Sequence, residues 1–255
     1  MVKNCLIINM DERPELWKNL EGFRQAWTNT GKTWERIVGI NYNKKKNVLN
    51  NFIINGRINV MMGGFRNNKT ALLGELGCYM GHYNAWKYVV DNKLESCLIM
   101  EDGVTIINSK FKELTIPNTL DILYVNAEME QHSENQVYGY GLQGYIVTYE
   151  GAKKLMKECH VLQLPIDLQI VHLCKIRALK ASALTNPYVM RNDKRVSSID
   201  GSIIKETNSR IEKQTMLRDH QNQSSIIQRI LINLIRKNIN LDEYVECDDN
   251  YVRST

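Results

Sequence analysis

The stretch GELGCYMGHYNAWKYVVDNKLESCLIMEDGV, residues 74–104, decides the fold. Glu75, Tyr79, His82 and Trp86 recur every three or four residues, so they fall on one face of a helix, with Glu75 and His82 two turns apart. Asp91, Asn92 and Lys93 end that helix with turn-forming residues. Residues 96–100 (SCLIM) are an apolar run of the length expected of a fully buried parallel strand. Glu101-Asp102-Gly103 follows at once. In open α/β sheets ligands bind beyond the carboxyl ends of strands, so this segment is predicted to deliver two carboxylates to a binding edge.

Upstream, residues 2–9 (VKNCLIIN) read as a first buried strand. Asp11 can cap the following helix, and Pro14 sits in its first turn, where a missing amide hydrogen costs little. That helix is expected to reach Trp27, with Trp17, Leu20, Phe23 and Trp27 on a core-facing stripe. Residues 33–40 (TWERIVGI) form a second strand, and strand, helix and strand at this spacing suggest a nucleotide-binding βαβ unit. Residues 41–70 are polar, rich in Asn and Lys, and include Gly56, Gly63 and Gly64, the composition of a functional loop or a variable insertion.

Downstream, residues 121–127 and 141–148 read as strands, with a polar loop at 130–138 between them and a helix at 150–159 after them. Leu164-Pro165-Ile166-Asp167 then opens a helical pattern through Leu168, Val171, His172 and Ile176. Asp167 has two readings, a helix N-cap or a carboxylate that acts on an acceptor as general base. Beyond Ser202 the composition shifts, and Ile226, Ile227, Ile230, Leu231, Leu234 and Ile235 recur at helical spacing with basic residues on the other faces. A basic amphipathic helix of this kind packs on its own domain, pairs with a second subunit or lies on a membrane surface. Residues 242–255 are polar, and Asp248-Asp249 there is not read as a metal motif.

With 255 residues the chain is long enough for one α/β domain with an appendage. Hydrophobic content of 43% and charged content of 24% are those of a globular protein. A net charge of +5 and a pI near 8.8 suit an anionic nucleotide or a membrane surface. Zinc-finger spacing and interleaved aromatic and basic residues are absent, so no nucleic-acid partner is expected. Cysteines at 5, 78, 97, 159, 174 and 247 form no CxxC pair, and Cys5, Cys78 and Cys97 lie in apolar elements as expected of reduced buried thiols. The opening residues turn acidic after a short apolar run, unlike a signal peptide, and no segment approaches ~20 uninterrupted apolar residues. The sequons at Asn68 and Asn222 therefore read as chance matches, and a cytoplasmic location is expected, with peripheral membrane attachment through the C-terminal helix as one of its roles.

The pattern GELGC-x3-H-x3-W followed by LIMED resembles glycosyltransferase family 25, the lipopolysaccharide-biosynthesis and procollagen galactosyltransferase-like group. Gly74, Glu75, Gly77, Cys78, His82, Trp86, Glu101 and Asp102 match, whereas Gly81 stands where the family usually has Ser and Gly103 where it has a third acid. Residues 8–15 (INMDERPE) are similar to the family's opening motif, although Leu16 and Asn41 depart from it. Gly141, Gly144, Tyr145, Gly151, Ala152, Lys154 and Leu155 fit a later motif, Leu164 to Asp167 fit LP-(V/I)-D, and Pro187 with Ser197-Ser198-Ile199 fit the family's end. The resemblance covers roughly residues 3–200.

What it implies is an α/β, GT-A-like fold with a Rossmann-type, mostly parallel sheet flanked by helices over residues 1–202, while the shift in composition beyond Ser202 is read as a C-terminal helical extension with a polar tail over 203–255. The implied activity moves a galactose-like sugar from a nucleotide-diphosphate donor, a UDP-sugar, to an acceptor hydroxyl with inversion, assisted by Mn²⁺ or another divalent cation. The implied acceptor class is a glycan, a lipopolysaccharide or a protein hydroxyl, and the amphipathic pattern beyond Ser202, apart from the resemblance, offers a helix through which homo-oligomers could form. On this reading Asp167 is the catalytic base, Asn9, Arg13, Glu75, His82 and Glu101 bind the donor, and Glu101 and Asp102 hold the metal. The plainer alternatives are a polar turn for Asn9 and Arg13 and a buried hydrogen-bonded pair for Glu75 and His82. Gly103 motivates a rival from another class, a catalytically inactive nucleotide-sugar-binding protein on the same scaffold.

Overall fold

The computed structural model describes residues 1–42, 69–133, 136–139, 141–162 and 164–192. Strand β1 (Asn4–Met10) lies between two parallel neighbours, β2 (Thr33–Gly39) and β3 (Ser96–Glu101). Beyond β3 come β8 (Gly144–Thr148), β5 (Ile122–Tyr124) and β9 (Ala181–Ala183), completing a six-stranded sheet in the order β2-β1-β3-β8-β5-β9. β8 runs antiparallel to both neighbours and β9 runs parallel to β5, so five of the six strands share one direction. The sheet is mixed and mostly parallel, as expected.

Successive residues of the central strands are buried in alternate cores. Cys97 and Ile99 of β3 and Tyr145 and Val147 of β8 enter one core, whereas Leu98, Met100 and Ile146 enter the other. The first core is covered by α3 (Lys69–Asp91), α4 (Tyr149–Glu158) and α5 (Ile166–Lys175), through Leu76, Tyr79, Trp86, Leu155 and Ile170. The second is covered by α2 (Glu21–Thr28), through Phe23 and Trp27. Each large apolar side chain buried in this way contributes about 1.5–3 kcal/mol, so a run apolar on both faces, such as SCLIM, is driven to the middle of the sheet.

Two glycines set how closely the helices approach. A Cβ on Gly77 would lie 2.5 Å from the Ile40 carbonyl oxygen, and one on Gly151 would lie 2.3 Å from that of Asp121. The Thr148 hydroxyl caps α4 by accepting the Gly151 N–H at 3.0 Å.

Several expectations are corrected. The helix foreseen from Asp11 to Trp27 is two helices, α1 (Pro14–Asn19) and α2, separated at Leu20. Arg13, not Asp11, is the N-cap residue of α1, because the Arg13 N–H closes a turn onto the Met10 carbonyl at 3.0 Å and moves the helix start past Asp11. Asp11 pairs instead with Arg36 at 2.8 Å. The polar loop foreseen at 130–138 is a hairpin of β6 (Met129–Ser133) and β7 (Gln136–Gly139), anchored by buried Met129 and Val137. A short pair joins β4 (Val104–Ile106) to β10 (Val189–Arg191). Cys5 and Cys97 are buried as expected, whereas Cys78 is half-buried, and burial pushes the Cys5 and Cys97 thiols well above the ordinary range. No described helix is long and apolar enough to cross a membrane. The loop at 43–68, the Ser197-Ser198-Ile199 motif, the boundary at 202 and the C-terminal helix lie outside the described residues.

Candidate active site at the carboxyl edge of the sheet

β1 and β3 are adjacent and parallel with Ile8 opposite Glu101, so Asn9 and Asp102 emerge side by side at their carboxyl ends. The Asp102 N–H extends the pairing to the Ile8 carbonyl at 3.0 Å. Asn9 is 1% exposed, and its amide nitrogen donates to Asp102 Oδ2 at 2.8 Å and to the Arg13 carbonyl at 3.1 Å. Its amide oxygen accepts from Arg36 Nη2 at 2.6 Å. Asn9 therefore ties a carboxylate, the head of α1 and a strand arginine into one polar knot. Arg13 is half-buried, and its guanidinium makes no hydrogen bond or ion pair among the described residues.

Glu101 precedes Asp102 and turns toward α3, where Cys78, His82 and Trp86 lie four residues apart on one face. Glu101 Oε1 is 3.3 Å from His82 Nε2 and 3.9 Å from Cys78 Sγ. His82 is 1% exposed, and its Nδ1 lies 2.9 Å from the Tyr145 hydroxyl. The same hydroxyl accepts the Trp86 indole N–H at 2.8 Å. Burial holds the Tyr145 hydroxyl well above the usual tyrosine range, partly opposed by the Trp86 hydrogen bond, so it stays a neutral O–H. Glu75 is half-buried one turn before Cys78 on the same helix.

Asp167 occupies the second position of α5, and Pro165 holds the N-cap position, so its N-cap reading is set aside. The Asp167 carboxylate accepts the Gly141 N–H at 3.1 Å and the Leu168 N–H at 2.9 Å. Gly141 has φ +105°, a conformation open to glycine, at the start of the segment leading into β8. Two residues on, the Gln143 carbonyl accepts the Glu101 N–H at 3.1 Å, and Gln143 Oε1 accepts from Asn126 Nδ2 at 3.1 Å. The short segment 141–143 thus links Asp167 to the end of β3. Asn126 also donates to Glu128 Oε2 at 3.3 Å, and Glu128 Oε1 accepts the Arg191 N–H at 2.7 Å.

The structure gathers Asn9, Arg13, His82, Glu101 and Asp102 at or beside the ends of β1 and β3, and connects Asp167 to them through backbone. Arg36, Gln143 and Asn126 were not among the expected site residues, and Tyr145 entered the reading of the sequence only through the motif that it fits. Asn126 and Gln143 left a signal, since each is a polar residue flanking an apolar strand, and they are 1% and 4% exposed.

The carboxylates expected to share a cation face different partners, Glu101 toward His82 and Asp102 toward Asn9. The group of potential ligands found among the described residues is Cys78, His82 and Glu101, whose donor atoms lie within 4.8 Å of one another. A thiol, an imidazole and one carboxylate suit a borderline ion, whereas Mn²⁺ favours oxygen. These residues do not by themselves fit Mn²⁺.

Residues 3–122 match glycosyltransferase family 25 (LPS biosynthesis protein). Procollagen galactosyltransferase 2 of Homo sapiens is 29% identical over 119 residues, spanning 38% of this chain and 19% of the relative. Procollagen galactosyltransferase 1 of Danio rerio is 30% identical over 117 residues, spanning 37% of this chain and 19% of the relative. The matched part is thus about a fifth of the length of these curated relatives. Among solved structures, the catalytic domain of a Drosophila β1,4-galactosyltransferase 7 in complex with xylobiose is 15% identical, with a TM-score of 0.42 over 84% of this chain and 80% of that one, a distant likeness.

Proposed function

We propose, from the match of residues 3–122 to glycosyltransferase family 25, that the chain transfers a galactose-like sugar from a UDP-sugar to an acceptor hydroxyl with inversion. The observation that carries this reading is the hydrogen-bonded pair of Asn9 and Asp102, with Glu101 beside it, at the carboxyl ends of adjacent parallel strands. That edge is where open α/β sheets bind their ligands.

Asn9, Arg13 and Glu101 hold the donor, Arg13 offering its guanidinium to the diphosphate. Glu75 and His82 orient the acidic groups from α3. Asp167 takes the proton of the acceptor hydroxyl as that oxygen bonds to the anomeric carbon, and the carbon–oxygen bond to the diphosphate breaks, releasing UDP. Backbone N–H groups fix the Asp167 carboxylate, and each of its oxygens has a second lone pair for the acceptor proton. Because Glu101 and Asp102 hydrogen-bond to different partners, Mn²⁺ would need diphosphate oxygens to complete its ligands.

Gly103 favours a second reading, a nucleotide-sugar binder without transferase activity. At the position of the family's third acid it contributes a carbonyl, which accepts the Asn192 N–H at 3.0 Å. The two readings part in one experiment. The protein is incubated with UDP-galactose and other UDP-sugars, with and without hydroxyl acceptors, while nucleotide binding and UDP release are followed. Acceptor-dependent UDP release that is lost in Asp167→Asn supports transfer. Binding without release supports the second reading, and absence of nucleotide binding overturns both.

A further inference from the structure

Trp86, Tyr145, His82 and Glu101 stand in one line of hydrogen bonds at 2.8, 2.9 and 3.3 Å, and the first three are at most 1% exposed. The line joins two sequence motifs that lie far apart in the chain, one on α3 and one on β8. Its direction follows from counting protons. Indole N–H only donates, so Trp86 occupies one lone pair of the Tyr145 oxygen. If His82 Nδ1–H also donated to that oxygen, the Tyr145 proton would have no acceptor among the described residues, leaving a buried donor unsatisfied. Tyr145 O–H therefore donates to Nδ1, and the neutral imidazole carries its proton on Nε2, directed at Glu101 Oε1.

We propose that Tyr145 and Trp86 are positioning residues, which lock His82 in the Nε2–H tautomer so that it holds the Glu101 carboxylate in the orientation that receives the donor. The functional half of this proposal rests on the donor-binding reading above. The geometric half does not. The lock also opposes a metal at Cys78, His82 and Glu101, because an ion there would need the Nε2 lone pair and the opposite tautomer.

The test begins with long-range ¹H–¹⁵N spectra of the ¹⁵N-labelled protein without nucleotide, the His82 signals being identified by their loss in His82→Gln. A neutral ring protonated on Nε2 is expected. A ring protonated on Nδ1, or on both nitrogens, overturns the proposal, as does stoichiometric Zn²⁺ binding that is abolished in Cys78→Ser. Tyr145→Phe removes the donor to Nδ1 and is expected to mix the two tautomers and to weaken UDP binding by roughly tenfold. An Nε2–H tautomer unchanged in Tyr145→Phe, or unchanged UDP affinity, overturns the role of Tyr145. Should Tyr145→Phe not fold, the wild-type spectrum still decides the tautomer, and Trp86→Phe, which keeps an aromatic ring in the core but removes the N–H that orients the Tyr145 hydroxyl, is measured in its place with a smaller change expected in the same direction. An Nε2–H tautomer in a protein that binds no UDP leaves the lock standing and removes its link to a donor.

Discussion

Every polar atom of the Asn9 side chain is engaged by Asp102, Arg13 or Arg36, which makes it the most exacting residue of the edge. Asn9→Leu leaves the Arg36 and Asp102 contacts unanswered in a buried place, and a loss of about 1–3 kcal/mol is expected in urea unfolding. Asp167→Asn keeps the size of the side chain and one acceptor oxygen, so its melting temperature is expected to fall little while UDP release in the presence of acceptor is lost. Gly103→Asp adds a carboxylate beside Glu101 and Asp102. Calorimetric titration with Mn²⁺ is expected to show no tight binding to the nucleotide-free parent, measurable binding with UDP present, and tighter binding in the variant. The acids were legible in the sequence because a buried strand running directly into Glu101-Asp102 points to its own end. His82 was legible through helical spacing. Arg36 was not, because only the register of β1 on β2 brings it to Asn9, and a single strand does not declare its register.

Among the elements, those legible in advance were the ones apolar on both faces or strongly periodic: β1, β3, β8 and α3. The hairpin of β6 and β7 was not, since most of its residues are polar and two buried side chains anchor it. Nor was the break at Leu20, because Leu20 continues the apolar stripe of α1 into α2 and periodicity alone does not register a change of helix axis. The close approach of α4 to the start of β5 gives this scale its own prediction. Gly151→Ala places a methyl group against the Asp121 carbonyl, backbone that cannot swing aside, and a loss of about 1–3 kcal/mol in unfolding free energy is expected. Gly22→Ala, where a Cβ meets nothing within 4 Å, serves as the control and is expected to be neutral or slightly stabilising.

For the molecule as a whole, UDP selective for the folded state is expected to raise the melting temperature, by a stabilisation of about 2.7 kcal/mol at a hundredfold excess over its Kd. No shift at millimolar UDP would remove the donor reading. The fold class was legible from the order of strands and helices, but the reversed direction of β8 was not, since strand pattern carries no sign. That reversal has a consequence in time. As the chain leaves the ribosome, β1 and β2 are available to cover one side of β3, but its other side waits for residues 144–148. Until then a strand whose one charged residue, Glu101, lies at its end presents bare N–H and C=O groups, the kind of edge that recruits other chains. Nascent chains stalled just before residue 144 are expected to sediment with chaperones or as aggregates, whereas chains stalled with residues 144–192 already outside the tunnel stay dispersed.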